Sequence, residues 1–198
     1  MCKLEITIRA ELKNILSYER KMYFGRMGIY QIFLRIIKNH PDYYAWKYIK
    51  QMRKTSYYYS KRNNNLIYSI LYILNSRAFN SMGRKLGIES GENVFQEGLR
   101  LFHTNGIVVN GNARVGKNCC LYGNNCIGND GITRGCPKIG DNVRICVGGK
   151  VLGDIEIADE IVIAAGAVVV KSCSERGAIL AGIPAKIIGY RTDKTFLE

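Results

Sequence analysis

The sequence predicts an all-β, left-handed parallel β-helix of hexapeptide repeats, preceded by an N-terminal α-helical region. Two observations predict this fold: the composition changes near residue 85, and the second half repeats aliphatic residues every six positions. Eleven of the thirteen tyrosines precede that change, whereas eighteen of the 21 glycines follow it. We therefore predict a basic, Tyr-rich helical region over residues 1–85, a β-helix domain over 86–191 and a tail over 192–198.

The first half carries the spacing of three helices. Apolar residues recur at helical spacing from Tyr18 to Lys38, and Asn-His-Pro-Asp at residues 39–42 ends that helix and caps the next one. The second predicted helix runs from Tyr43 to Tyr59. A polar break at residues 61–65 separates it from the third, which spans Leu66 to Lys85.

The second half carries an aliphatic residue at almost every sixth position. Of the eleven slots from 109 to 169, ten are Val, Ile or Leu, whereas about three would be expected by chance. In a β-helix each slot points inward, and small residues let the backbone turn between strands. An antiparallel sandwich would instead show period-two alternation with turns about every 8 to 12 residues. Thr133 breaks the series formed by Val109, Val115, Leu121, Ile127, Ile139, Ile145, Val151, Ile157, Ile163 and Val169.

Composition excludes several classes of protein. The seven cysteines form no CxxC pair, and with only two histidines we expect neither a disulfide framework nor a metal site. No signal peptide is evident, and the apolar stretch Leu66–Leu74 is shorter than the about 20 residues that span a membrane, so we predict a cytoplasmic protein. A net charge of +13 indicates an anionic partner, which is a phosphate-bearing cofactor, an acidic glycan, a membrane or a nucleic acid.

Five segments carry recognisable motifs: LFHTNGIVVN at 101–110, CPKIGD at 136–141, VLGDIEI at 151–157, IAAGAVV at 163–169 and AGIPAK at 181–186. Together they resemble the hexapeptide-repeat acyltransferases, and within that family the serine acetyltransferase-like branch. The resemblance implies O-acetyl transfer from acetyl-CoA, without a metal. It also implies a homotrimer whose active sites lie between subunits.

Two departures from the family pattern bear on the acceptor. Phe102 stands where serine acetyltransferases have Asp, and Gly135-Cys136 replaces their Arg-His pair. The helical half instead looks like that of proteins in surface-polysaccharide pathways. We therefore expect acetyl transfer to a sugar hydroxyl of a capsular or other surface polysaccharide, or of its precursor. Serine O-acetylation is the alternative enzyme, and a non-catalytic trimeric scaffold is the alternative from another class.

His103 is the predicted general base, since an unperturbed imidazole titrates near neutral pH. It falls in the hexapeptide phase but is not aliphatic, and it matches the family's catalytic histidine. The other histidine, His40, precedes a proline and is read as a surface or capping residue. Glu89 is the expected carboxylate partner of His103, although Glu92 or Glu97 could take its place.

The resemblance also assigns residues to the cofactor and the acceptor. Residues 129–138 are expected to form a protruding loop that closes a neighbouring subunit's site. On this loop Arg134 either grips an anionic acceptor or is simply solvated, and Asn105 is the second predicted acceptor residue. The predicted acetyl-CoA residues are Gly148, Ala165, Gly166, Lys171, Pro184 and Lys186.

The basic helical half has two interpretations. Its helices pack over the open end of the prism, or Tyr57–Tyr59 and the neighbouring cations rest on the inner face of an anionic membrane, where a lipid-linked glycan is presented. We favour packing over membrane contact. No recognition motif supports nucleic-acid binding, so we expect none.

Overall fold

A computed structural model describes residues 4–25 and 27–192 and confirms the predicted fold class. Helices occupy the first part of the chain, and short strands follow. The predicted tail lies, apart from Thr192, outside the described residues. The helices are α1 (Arg9–Phe24), α2 (Ile29–Ile37), α3 (Pro41–Lys61) and α4 (Leu66–Leu86).

The single helix predicted from Tyr18 to Lys38 is wrong, because the chain forms two helices there. Helix α1 ends at Gly25, whose φ of 50° is left-handed and whose N–H donates to the carbonyl of Lys21. Helix α2 begins after Gly28. His40 caps α3, as its Nδ1 accepts a hydrogen bond from the Asp42 N–H at 3.2 Å.

In the described part of the chain, fourteen strands build a triangular prism with three faces, each a sheet of parallel strands except for the final antiparallel pair β13–β14. Face 1 contains β1 (Ile88–Glu89), β3 (Ile107–Val109), β6 (Cys126–Gly128), β9 (Lys150–Leu152) and β12 (Val168–Val169). Face 2 contains β4 (Arg114–Val115), β7 (Lys138–Ile139) and β10 (Glu156–Ile157). Face 3 contains β2 (Arg100–Leu101), β5 (Cys120–Leu121), β8 (Arg144–Ile145), β11 (Val162–Ile163), β13 (Ala178–Gly182) and β14 (Ala185–Tyr190).

The core of the prism is the predicted hexapeptide series. All ten aliphatic slots are buried, none of them more than 3% exposed. They stack in columns along the prism, as Val109, Ile127, Val151 and Val169 do on face 1. Thr133, the one polar slot, is exposed on the loop between β6 and β7. The six-residue period thus reflects one buried side chain per face and coil.

A buried ion pair anchors the helices to the first coil. Arg53 on α3 and Glu19 on α1 are both fully buried, with 2.7 Å between Nη2 and Oε1. Arg53 also donates to the carbonyls of Phe95 and Gln96, and Glu19 accepts from the Gly98 N–H at 3.0 Å. Because each charged group is hydrogen-bonded to the coil as well as to its partner, the pair fixes how the helices cover this end of the prism.

Candidate active site

His103 lies at the edge of the prism where face 3 passes into face 1. We call this the histidine edge; its corners are residues 102–106, 122–125, 146–149 and 164–167 in successive coils. The first corner is longer: the core residues Leu101 and Val109 are eight positions apart, whereas their partners Leu121 and Ile127 are six apart. Two extra residues therefore make this corner bulge, and His103 projects from it, exposed to solvent.

Because of the bulge, His103 does not occupy the inward-facing position that the six-residue repeat predicts for it. The repeat put it at an inward slot, but Leu101 occupies that slot and is 2% exposed. A basic side chain on an exposed corner can meet a substrate, whereas one inside the prism could not.

The corner of the next coil, residues 122–125, packs against His103. Gly123 has a φ of +100°, and a Cβ built on it would lie 3.1 Å from the His103 Cβ. The buried side chain of Asn125 accepts a hydrogen bond from the Gly123 N–H at 2.9 Å and donates to the Cys146 carbonyl at 2.8 Å. Glycine here therefore leaves room for His103, and Asn125 keeps the corner in place.

Two predicted cofactor glycines continue the same edge. Gly148 has a φ of +73° and Gly166 a φ of +68°. The Gly148 N–H donates to the Gly123 carbonyl at 3.0 Å, and the Gly166 N–H to the Val147 carbonyl at 2.9 Å. Ala165, exposed beside Gly166, adds only a methyl group. Below His103 the edge thus carries mainly small side chains, so an extended ligand can approach the backbone closely.

The hairpin that ends the β-helix reaches this edge as well. Strand β13 belongs to face 3, so its carboxyl end points toward the histidine edge, as do the other strands of that face. Pro184 lies in the turn that follows, and Lys186 lies on β14; both are exposed. The structure therefore brings together on one edge His103, Gly148, Ala165, Gly166, Pro184 and Lys186.

Two predicted site residues lie at another of the three edges, the one where face 1 passes into face 2. We call it the opposite edge. Lys171 follows β12 there, and Arg134 is exposed on the loop between β6 and β7. Asp130 holds the start of this loop, because it accepts hydrogen bonds from the N–H groups of Thr133 and Ile132, and these bonds lower its pKa. Within one chain, neither Arg134 nor Lys171 lies at the histidine edge.

Glu89 points outward from β1 on face 1, in register with Val108. Among residues 4–25 and 27–192, no hydrogen bond or ion pair joins it to His103. The two substitutes have other partners: Glu92 accepts from the Tyr72 hydroxyl at 3.2 Å, and Glu97 pairs with Lys117 at 3.0 Å. Glu89 therefore has its carboxylate free of such partners within the described chain.

Asn105 lies on the same bulged corner as His103, and it is exposed. Its backbone carbonyl accepts from the Asn124 N–H at 2.9 Å, and its Oδ1 would lie 2.8 Å from a Cβ on Gly87. Asn105 thus joins the bulged corner to the end of α4 as well as to the next coil.

The structure adds an aromatic pair that sequence reasoning missed. Phe102 and Tyr122 stack with their ring centroids 4.3 Å apart and their planes at 9°. Arg100 lies over the Phe102 ring at 4.9 Å, and burial raises the pKa of Tyr122. Phe102 directly precedes His103, and Tyr122 directly precedes Gly123. The six-residue repeat did not predict that Phe102 and Tyr122 are neighbours, because the bulged corner places them twenty residues apart and so breaks the regular coil length.

A groove lined by both polar and apolar side chains runs along face 1 beside α4. Its two adjoining cavities, of about 470 and 510 Å³, share Asn80, Glu89, Ser90 and Val108. One cavity extends to Arg84 on α4 and the other to Asn110 and Asn129. The groove therefore offers amide, hydroxyl and charged groups to a polar ligand. The part of the chain described by the structure holds no cluster of three or more potential metal ligands.

Comparison with known proteins gives a consistent likeness. The serine acetyltransferase of Staphylococcus xylosus is 41% identical over 108 residues, which cover 51% of this chain and 50% of that protein. The chain thus spans about half the length of the curated relatives it matches. No protein-family profile matches the sequence.

Solved structures give the same likeness. Serine acetyltransferase from Vibrio cholerae superposes with a TM-score of 0.73 at 21% identity, covering 96% of this chain and 70% of that one. The Brucella abortus enzyme in complex with coenzyme A superposes at 0.67 with 24% identity, covering 92% and 69%. The chain therefore has the left-handed β-helix fold of serine acetyltransferases and resembles them in sequence over about half its length.

Proposed function

We propose that this chain is an O-acetyltransferase that moves acetyl from acetyl-CoA to a hydroxyl group, with His103 as the general base. The observation that carries the proposal is the histidine edge, where an exposed imidazole stands above corners with small side chains. The Brucella abortus neighbour was solved with coenzyme A, which supports a coenzyme A ligand on the same fold here. Lys186 at the far end of the edge supplies a cation for the phosphates.

The chemistry needs few groups. The His103 imidazole removes the proton of the acceptor hydroxyl as its oxygen attacks the thioester carbonyl carbon. The carbon–sulfur bond then breaks, and the imidazolium of His103 returns the proton to the sulfur, so that coenzyme A leaves as a thiol and His103 is again neutral. Glu89 is the proposed carboxylate that supports the imidazolium.

Serine is the first acceptor we propose, because the matching relatives are serine acetyltransferases. A sugar hydroxyl of a surface polysaccharide or its precursor is the second. It is supported by the replacement of a carboxylate by Phe102 and by the Phe102–Tyr122 stack beside His103. Aromatic faces and amide groups are common partners of sugars, whereas an amino acid needs charges for its ammonium and carboxylate groups.

We further propose a homotrimer that acts in the cytoplasm. The loop between β6 and β7 leaves the edge opposite to His103, so it cannot complete the site of its own chain. In a threefold assembly the loop of one subunit faces the histidine edge of the next, which would place Arg134 beside the acceptor.

Coenzyme A release measured with a thiol reagent tests the proposal. Purified protein is incubated with acetyl-CoA and, in parallel, with L-serine, with nucleotide-linked sugars or with capsular glycans. Acceptor-dependent release supports the enzyme, and the acceptor with the higher kcat/KM decides between serine and sugar. A protein that binds no coenzyme A by calorimetry and releases none with any acceptor would instead be the non-catalytic scaffold.

A further inference from the structure

The whole net charge of the protein lies in its helical part. Residues 1–85 contain seventeen Lys and Arg against four Asp and Glu, which gives +13. Residues 86–198 contain twelve of each and are neutral. The helices therefore carry the excess positive charge that indicates an anionic partner, beyond the single cation proposed for the cofactor phosphates.

Helix α4 exposes a stripe of five large apolar side chains, which we call the α4 stripe: Leu66, Ile67, Ile70, Ile73 and Leu74. They are between 48% and 75% exposed. Their spacing of i, i+1, i+4, i+7 and i+8 places them on one side of the helix. Phe79 and Gly83, farther along α4, are buried, so α4 is packed against the protein on its other side. A stripe of this size on an anchored helix is a contact surface for something other than water.

Cations border the α4 stripe at both ends. Arg62 precedes it, stacked on the Tyr59 ring at 3.6 Å, and Arg77 follows it, exposed on the next turn. Arg84 and Lys85 continue the same helix and are also exposed. No Asp or Glu occurs between residues 62 and 88. The surface is thus apolar in the middle with cations at both ends, and Glu92, which accepts a hydrogen bond from the Tyr72 hydroxyl, lies beside the same helix.

We propose that the α4 stripe and its bordering cations dock the protein on an anionic lipid bilayer, with α4 lying in the plane of the headgroups. Apolar side chains enter the acyl boundary in such a contact, while the cations meet lipid phosphates. A second copy of this chain is the less favourable occupant of this stripe, since pairing two α4 stripes would bring the cations at their ends, Arg62 and Arg77, against those of the other copy. None of the described helices is long and apolar enough to cross a membrane, so the contact is peripheral.

Helix α2 repeats the same spacing. Ile29, Tyr30, Phe33, Ile36 and Ile37 lie on one side of it and are between 40% and 88% exposed. The exposed Lys38 follows this second stripe, and α2 contains no acidic residue. Because a fluid bilayer adapts to the surface it contacts, neither stripe needs a partner of complementary shape. Both stripes can therefore contact the same bilayer.

Vesicle flotation of the full chain tests the proposal independently of any catalysis. The protein is mixed with vesicles of phosphatidylcholine and phosphatidylglycerol, or of phosphatidylcholine alone, and the floated fraction is measured as a function of lipid concentration. We expect binding to the anionic vesicles at least about tenfold tighter than to the neutral ones, and weakened by salt. Equal binding to both, or binding to neither, overturns the proposal.

A matched pair of variants locates the contact. Ile67→Glu places a charge in the α4 stripe at the helix N-terminus, where an acidic residue is compatible with the fold. Ile132→Glu makes the same change at a 92% exposed residue on the loop between β6 and β7. Ile67→Glu should weaken binding about tenfold or more, and Ile132→Glu by less than about twofold.

Light scattering on the same samples tests whether a second copy of this chain, rather than a bilayer, covers the α4 stripe. If wild-type protein ignores vesicles while Ile67→Glu lowers the particle mass, the α4 stripe is an interface between copies and the membrane proposal fails. It fails equally if the two variants weaken vesicle binding to the same extent.

Discussion

Replacing Gly123 by alanine tests whether the corner below His103 positions the imidazole. The added Cβ would lie 3.1 Å from the His103 Cβ and 3.5 Å from the His103 carbonyl oxygen. The first contact is shorter than an ordinary carbon–carbon approach by a few tenths of an ångström, so the bulged corner must move by about that amount. The alanine must also adopt a φ of +100°, which side chains disfavour.

The two effects have different magnitudes and different readouts. The backbone strain should lower the free energy of unfolding by about 1–3 kcal/mol. Since a misplacement of about 1 Å costs roughly 100-fold in rate, a shift of a few tenths should lower kcat roughly tenfold. The KM for acetyl-CoA should change by less than about twofold, because the other corners of the edge are untouched.

Gly153→Ala is the matched control. Gly153 has a φ of +102°, but it lies at the opposite edge, and its Cβ would meet nothing closer than Asp130 at 3.8 Å. It should lose as much stability as Gly123→Ala in urea unfolding while keeping its kcat in the coenzyme A release assay. The reasoning is refuted if Gly123→Ala keeps full kcat, or if both variants lose kcat equally.

Three further predictions follow from individual contacts. Arg53→Met leaves the Glu19 carboxylate buried without its partner, so the free energy of unfolding measured in urea should fall by about 3–5 kcal/mol. It should recover in the double variant that also carries Glu19→Leu. A loss of less than about 1 kcal/mol in Arg53→Met alone contradicts this prediction. Burial raises the pKa of Cys120 from its ordinary value of 9.0 to about 11. Because the folded pKa is the higher one, its stabilisation is complete below pH 9, and it should be lost as the pH rises toward 11, with a smaller decline in Cys120→Ala; identical declines contradict this. Lys186→Ala should raise the KM for acetyl-CoA about tenfold in the coenzyme A release assay; a change of less than about twofold contradicts the proposed course of the cofactor.

The repeat could be predicted from sequence because its cause is local. Each coil must bury one side chain on each face, so the ten aliphatic slots recur at a spacing that survives without any knowledge of contacts. The small residues at the corners are equally local, since a left-handed φ favours glycine or asparagine, as at Gly148 and Asn124. These two requirements account for most of the β-helix.

The remaining features depend on insertions and on contacts between distant residues. Two extra residues at the first corner move the inward slot to Leu101, and periodicity cannot reveal such a shift until the strands are paired. The break at Gly25 splits a helix whose apolar spacing continues across it. The Arg53–Glu19 pair joins residues 34 positions apart, and no pattern in the sequence connects them. The position of Arg134 away from His103 also follows only from the order of the faces.

Substituting His103 by alanine and measuring coenzyme A release tests the central claim most directly. His103 is exposed and the variant should fold normally, so circular dichroism and the midpoint of urea unfolding should match the wild type. Loss of the general base should lower kcat about 10²- to 10⁴-fold while the KM for acetyl-CoA stays within about threefold. An alanine variant that releases coenzyme A as fast as the wild-type protein, with the same acceptor, would contradict the assignment of His103 as the base.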